Sequence, residues 1–262
     1  MSTKWVRFQA GDKVAYGRIE DDSVVATDAA PWGLHTMTST RHPLSSVKLL
    51  IPTVPSTFYC VGINYRDHII QSARRRGVEP VFPEKPDIGY RANNALCAHE
   101  DPIVKPKDSG DIFQYEGELV AVIGKQGRNV PQDKALEHVF GWTIGNDVSE
   151  RTWQRGDRTM WRAKNADTFK PMGPWIVTDL DYRGMTTTIR LNGEEVDRFA
   201  TANMIHDVEI YIAEVSKYCT LYPGDVLWMG TDGSPRNMKP GDVCEIEITG
   251  IGILRNKVVA EG

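Results

Sequence analysis

Apolar and polar residues alternate through positions 4–27 around turn signals at Gly11-Asp12 and Asp21-Asp22, a period of two that predicts short strands joined by tight turns. The stretch from Ala29 to Ser46 keeps neither a strand nor a helix period and reads as a connection. A small β-rich unit over 1–50 is therefore expected ahead of a larger unit over 51–262. The run FYCVGI from Phe58 reads as a buried strand. It leads into NYRDHIIQSARRRG, where Asn64 can cap a helix and Gly77 can end it. Residues 78–90 carry Pro80, Pro83 and Pro86 and cannot be regular; a helix followed by such a loop fits either a lid or a plain surface excursion.

Strand-like runs follow at 113–123, 140–147, 174–178, 186–191, 225–229 and 243–255, separated by signals such as Asn192-Gly193 and Pro223-Gly224-Asp225. Two helices interrupt them. One opens at Pro131 and runs to about His138; the other covers 207–218, with Asp207 as cap and Val208, Ile212 and Val215 on one face. The pattern predicts a mainly β (α+β) chain, a sandwich or rolled barrel, without the alternation of a doubly wound sheet.

Composition narrows the functional classes. The 262 residues are 40% hydrophobic and carry a formal charge of −4. That is enough to build a core, and it offers no basic surface for nucleic acid beyond the Arg74–Arg76 triplet, read as the solvated end of a helix. A charged N-terminus and no long apolar run predict no secretory signal, no membrane span and a cytoplasmic location. Cys60, Cys97, Cys219 and Cys244 are too scattered for a disulfide framework or a zinc knuckle and are expected as reduced thiols filling the core.

The chemistry concentrates in acids. In QYEGELVAVIG, strand alternation points Glu116 and Glu118 to one face, and Gly117 leaves the opposite face open to close packing. Two adjacent carboxylates are either solvated or held by something positive. Asp147 ends the apolar run FGWTIGND, where a sheet meets a cleft. Three carboxylates without His or Cys suit a hard cation, Mg²⁺ or Mn²⁺, more than Zn²⁺.

Five ordered blocks carry a wider pattern: CVGINYRDH at 60–68, YEGELVAVIG at 115–124, GWTIGNDVSERTWQ at 141–154, WRAKNADTFKPMGPWIVT at 161–178, and LYPGDVLWMGT at 221–231 with the ending EIEITGIGILRN. Together they resemble the signature blocks of the fumarylacetoacetate hydrolase family over roughly 58–256. The resemblance implies that family's mixed β-sandwich roll as the catalytic domain, a homodimer, and a 2-oxo acid substrate. It implies metal ligation by Glu116, Glu118 and Asp147. Lys164 then matches the active-site lysine, Arg151 and Gln154 residues beside the substrate, Thr231 the threonine that binds the substrate carboxylate, and His68 the lid histidine that positions or deprotonates water.

Two departures matter. Where members with a lid dyad carry a glutamate three residues after the histidine, this chain has Gln71, which can orient an imidazole but cannot stabilise its cation. Glu79 or Glu84 could substitute. In GTDGSPRNM at 230–238, where the family more often has G-T-P, Arg236 could grip a distal carboxylate or stay solvated. The resemblance implies acylpyruvate hydrolysis first, with decarboxylation or isomerisation of an oxo-diacid as the alternative.

Overall fold

The structure, a computed structural model, describes residues 2–233 and 236–262. Ser234 and Pro235 of the loop at 230–238, and the side chain of Arg75, lie outside the described residues. The strands in chain order are β1 (Lys4–Ala10), β2 (Lys13–Glu20), β3 (Ser23–Thr27), β4 (Met37–Pro43), β5 (Lys48–Leu49), β6 (Phe58–Val61), β7 (Ile88–Tyr90), β8 (Leu96–Cys97), β9 (Ile103–Lys105) and β10 (Phe113–Gln114). They continue with β11 (Gly117–Ile123), β12 (Val139–Asn146), β13 (Ser149–Glu150), β14 (Lys170–Val177), β15 (Thr186–Leu191), β16 (Glu194–Ala200), β17 (Val226–Trp228), β18 (Val243–Ile248) and β19 (Gly252–Ala260). The α-helices are α1 (Arg66–Arg76), α2 (Arg151–Gln154) and α3 (Val208–Tyr218).

The N-terminal alternation folds as a meander in which Val6, Phe8, Val24 and Ala26 bury a small core of their own. β1 then pairs with β14, Lys4 opposite Val177 and Trp5 opposite Ile176. Among the described residues, β4-β3-β2-β1-β14-β12-β11-β17-β6-β7 run in that order through one sheet, and β16-β15-β18-β19-β9 form another. The two sheets meet at Gly117, where an added Cβ would lie 2.9 Å from Ile189 Cδ1 and 3.0 Å from Ile246 Cγ2. The glycine between the two glutamates is the price of close sheet packing on their reverse side.

The chain is mostly β with few helices, as its periodicity predicts, and three details differ. Asn64 does not cap α1. Its buried amide instead donates to the carbonyls of His206 and Met229 and accepts from His206 N, tying the helix entry to two later segments, while Tyr65 occupies the cap position. The segment after Pro131 is a 3-10 helix over Gln132–His138, seven residues leading straight into β12 and too short to gain from α-helical propagation. The run 243–255 splits into the β18–β19 hairpin, turned by Gly250 at φ 82°. Gly77 does end α1, at φ 68°, and Asp207 caps α3 by accepting from Ile210 N at 2.9 Å. Of the four free thiols, those of Cys60, Cys97 and Cys244 are buried and that of Cys219 partly so.

Candidate active site

Strand pairing brings the acids together. Gly117 lies opposite Asn146 and Glu118 opposite Gly145 in the β11–β12 ladder. Just beyond it, Asp147 N donates to Glu116 O at 2.8 Å and Glu116 N donates to Asn146 Oδ1 at 3.0 Å. Gly145 gives room for the Trp228 ring, which lies 2.5 Å from where a Cβ would stand. One carboxylate oxygen each from Glu116, Glu118 and Asp147 falls within 4.8 Å of the others, and all three residues are buried.

Cations surround these acids. Lys164 Nζ bridges Glu116 and Asp147, 2.8 Å from Asp147 Oδ2. Its placement comes from Asp157, whose carboxylate accepts from the backbone N–H groups of Trp161, Arg162 and Ala163 and so folds the loop that delivers Lys164. Arg151 pairs with Glu116 and also donates to Gln114 and Gln154, each at 3.0 Å. Glu150 caps the short helix that presents it, accepting from Trp153 N at 2.7 Å. Two cations that the sequence reading did not single out complete the ring. Arg91, at the end of β7, reaches Asp147 with both Nε and Nη2. Lys170, fully buried at the start of β14, holds Asp147 Oδ1 at 2.6 Å.

A cavity of about 340 Å³ opens over this cluster, and its wall includes every residue the sequence assigns to the site: Glu116, Glu118, Asp147, Lys164, Arg151, Gln154, Thr231 and His68. Thr231 Oγ1 is buried there without a hydrogen-bond partner among the described residues. The preceding Gly230 donates its N–H to Glu118 Oε2 at 2.8 Å. Gln71, Glu79 and Glu84 are exposed and outside this wall; Arg236 is also outside it, held by Glu194 with two contacts of 2.7 Å. Trp161 is 69% exposed on a separate surface depression with Arg162 and Asp167.

The sequence model described as fumarylacetoacetate (FAA) hydrolase C-terminal matches residues 57–259. The chain belongs to the fumarylacetoacetate hydrolase family. A second model, Rv2993c-like N-terminal, matches residues 3–52. Protein Rv2993c of Mycobacterium tuberculosis is 38% identical over 266 residues, spanning 98% of each chain. The mitochondrial oxaloacetate tautomerase FAHD2A of Bos taurus is 37% identical over 230 residues, 83% of this chain and 71% of its own. Among solved structures, 5-carboxymethyl-2-hydroxymuconate delta-isomerase from Mycobacterium smegmatis superposes with a TM-score of 0.89 at 38% identity, covering 98% of this chain and all of the other.

In this fumarylacetoacetate hydrolase fold the donor set fits a hard divalent cation. Burial, with Asp147 and Glu116 beside it, pushes the Glu118 carboxyl up to about 8. Burial also opposes ionisation of Glu116, but Arg151 and Lys164 override it and hold that carboxyl at about 2. Asp147, though equally buried, is held well below its ordinary value by Arg91, Lys164 and Lys170. One carboxylate of the three is thus short of positive charge, and oxygen donors of this kind are what Mg²⁺ and Mn²⁺ take.

Arg91 and Lys170 carry no local signal of their role. Arg91 directly follows the proline-bearing stretch 78–90 that reads as irregular, and Lys170 lies inside the 161–178 block beside the more distinctive Lys164. Only the fold brings both to Asp147.

Proposed function

We propose that this chain is a divalent-metal-dependent tautomerase or isomerase of a 2-oxo dicarboxylate, such as oxaloacetate or a longer unsaturated oxo-diacid. The observation that carries the reading is the make-up of the cavity wall. Arg91, Arg151 and Lys164 line it beside the triad carboxylates and Asp87, and Lys170 holds Asp147 from outside the wall, so the cations match the carboxylates and a bound Mg²⁺ or Mn²⁺ would leave the site positive. A substrate with two carboxylates answers that excess. His68 lines the cavity, whereas Gln71, the position of the lid carboxylate, does not. A proton shift needs one acid–base group; hydrolysis needs a base that also holds a water.

In this reading Glu116, Glu118 and Asp147 would hold the cation, which would supply Lewis-acid stabilisation of developing negative charge. The remaining steps belong to side chains. The buried Thr231 hydroxyl donates to the substrate's C1 carboxylate, and Arg151, steadied by Gln154, meets the second carboxylate. The His68 imidazole takes the proton from C3 and returns it to the far atom of the original double bond, the 2-oxo oxygen in a keto–enol tautomerism or C5 in a longer unsaturated diacid. The Lys164 ammonium stabilises the negative charge that develops between those events. Relatives named as oxaloacetate tautomerases and as isomerases, at 34–38% identity, support the class of reaction.

Hydrolysis of an acylpyruvate is the second reading, favoured by Asp87, a carboxylate outside the triad that also lines the cavity and could hold a water. The enol form of oxaloacetate, added with Mg²⁺ or Mn²⁺ and followed by its ultraviolet absorbance alongside a pyruvate assay, separates the two. Faster loss of enol without pyruvate supports the tautomerase. Pyruvate from acylpyruvates with no effect on enol decay replaces it with the hydrolase.

A further inference from the structure

We propose that Asp232, in the loop after β17, is a positioning residue that caps α1 and so sets where His68 stands. This rests on the reading of His68 as the proton carrier. A helix begins with N–H groups that its own turns cannot satisfy, and a side-chain oxygen at the cap position ordinarily accepts from the second or third of them. Tyr65, at the cap of α1, makes no such side-chain bond. The missing acceptor comes from 164 residues further along the chain: Asp232 Oδ1 accepts from the backbone N–H of His68 at 2.9 Å. The amide that Asp232 holds therefore belongs to the residue whose imidazole lines the cavity.

The loop is built for this reach. Gly230 and Gly233 adopt φ values of 82° and 140°, a region that disfavours side chains, so the chain turns sharply on both sides of Thr231 and Asp232. A Cβ on Gly233 would lie 3.8 Å from His68 Nδ1, which puts the loop backbone against the imidazole. Within four residues the loop then touches three parts of the site. Gly230 N–H binds Glu118, Thr231 lines the cavity, and Asp232 holds α1. The departure from G-T-P in the sequence thereby acquires a role, since an acid at this position links the loop that holds Glu118 to α1 within three residues.

The test uses the full-length protein and two variants. Asp232→Ala removes the acceptor, and amide exchange across residues 66–76 is expected to accelerate about tenfold or more. Asp232→Asn keeps an oxygen in place and should stay within about threefold of wild type. With oxaloacetate enol and Mn²⁺, Asp232→Ala should lower kcat about tenfold with little change in KM. Added to His68→Ala, it should cost nothing more, because it acts through His68. Unchanged exchange in Asp232→Ala overturns the capping role, whether or not oxaloacetate is a substrate. Losses that multiply in the double variant overturn action through His68. Should oxaloacetate not be turned over at all, the reading of His68 fails, and the exchange comparison of the Ala and Asn variants still decides the cap.

Discussion

The guanidinium of Arg91 lies along the carboxylate of Asp147, with Nη2 at 2.9 Å from Oδ2 and Nε at 3.3 Å from Oδ1. Both side chains are almost fully shielded from solvent. Unit charges ~5 Å apart at an effective dielectric of about 20 interact by about 3 kcal/mol, so a buried cation here works strongly against a second positive charge on the same acid. Arg91→Met is expected to tighten Mn²⁺ binding about tenfold or more while raising KM for a dicarboxylate. Isothermal titration with Mn²⁺ checks the first part. Weaker binding would make Arg91 an orienting group for Asp147 instead.

Glu118 gives a pH prediction with a definite sign. Its carboxyl is raised from 4.5 to about 8 by burial and by the neighbouring Asp147 and Glu116. A folded state that holds a proton the unfolded chain has released loses stability as pH rises between those values. Metal-stripped protein should therefore melt lower at pH 8 than at pH 5, by roughly 5 °C or more, on ~2–4 °C per kcal/mol for a chain of this size. Glu118→Gln should flatten that slope, weaken Mn²⁺ binding and abolish turnover while leaving the protein folded. A steep slope that survives in the Gln variant places its origin elsewhere.

Lys164→Met should reduce kcat by ~10²–10³ with metal affinity unchanged or higher, since the ammonium competes for the oxygens of Glu116 and Asp147. Stopped-flow rates beside Mn²⁺ titrations separate the two. If metal is lost along with activity, the lysine serves to hold the acids in register.

His68→Ala should slow enol–keto exchange by ~10²–10⁴ and leave metal binding intact. Gln71→Glu, three residues further along the same helix, should displace the acid limb of the rate profile toward higher pH, because a nearby carboxylate favours the imidazolium. A His68→Ala rate equal to wild type would move proton transfer to another group, with Asp87 the next to replace.

The proximity of Glu116 and Glu118 is legible from strand alternation alone, and the close approach behind Gly117 from the missing side chain. Asp147 is legible as the end of an apolar run. What local pattern cannot carry is pairing across the chain. Arg91 meets Asp147 from 56 residues away, and Asp232 meets the His68 amide from 164. Asn64 reads as a cap because it has the right side chain in the right place, yet contacts with His206 and Met229 claim it. Arg236 reads as a possible anchor for substrate, but its partner, Glu194, is named by no spacing rule.

The sheet also has a history in time. β1 must find β14 with Lys4 opposite Val177, and β6 must find β17 with Phe58 opposite Val226. At roughly 5–20 residues per second, a ribosome needs on the order of ten seconds or more to supply those partners. The N-terminal meander therefore waits, and the small core of Val6, Phe8, Val24 and Ala26 gives it something to hold while it does. Refolding from denaturant should accordingly be slow for a chain of this length, because its decisive contacts close the longest loops. The acids at and beside the ends of β11 and β12 emerge well before Gly230 and Thr231, which complete the cavity wall around them.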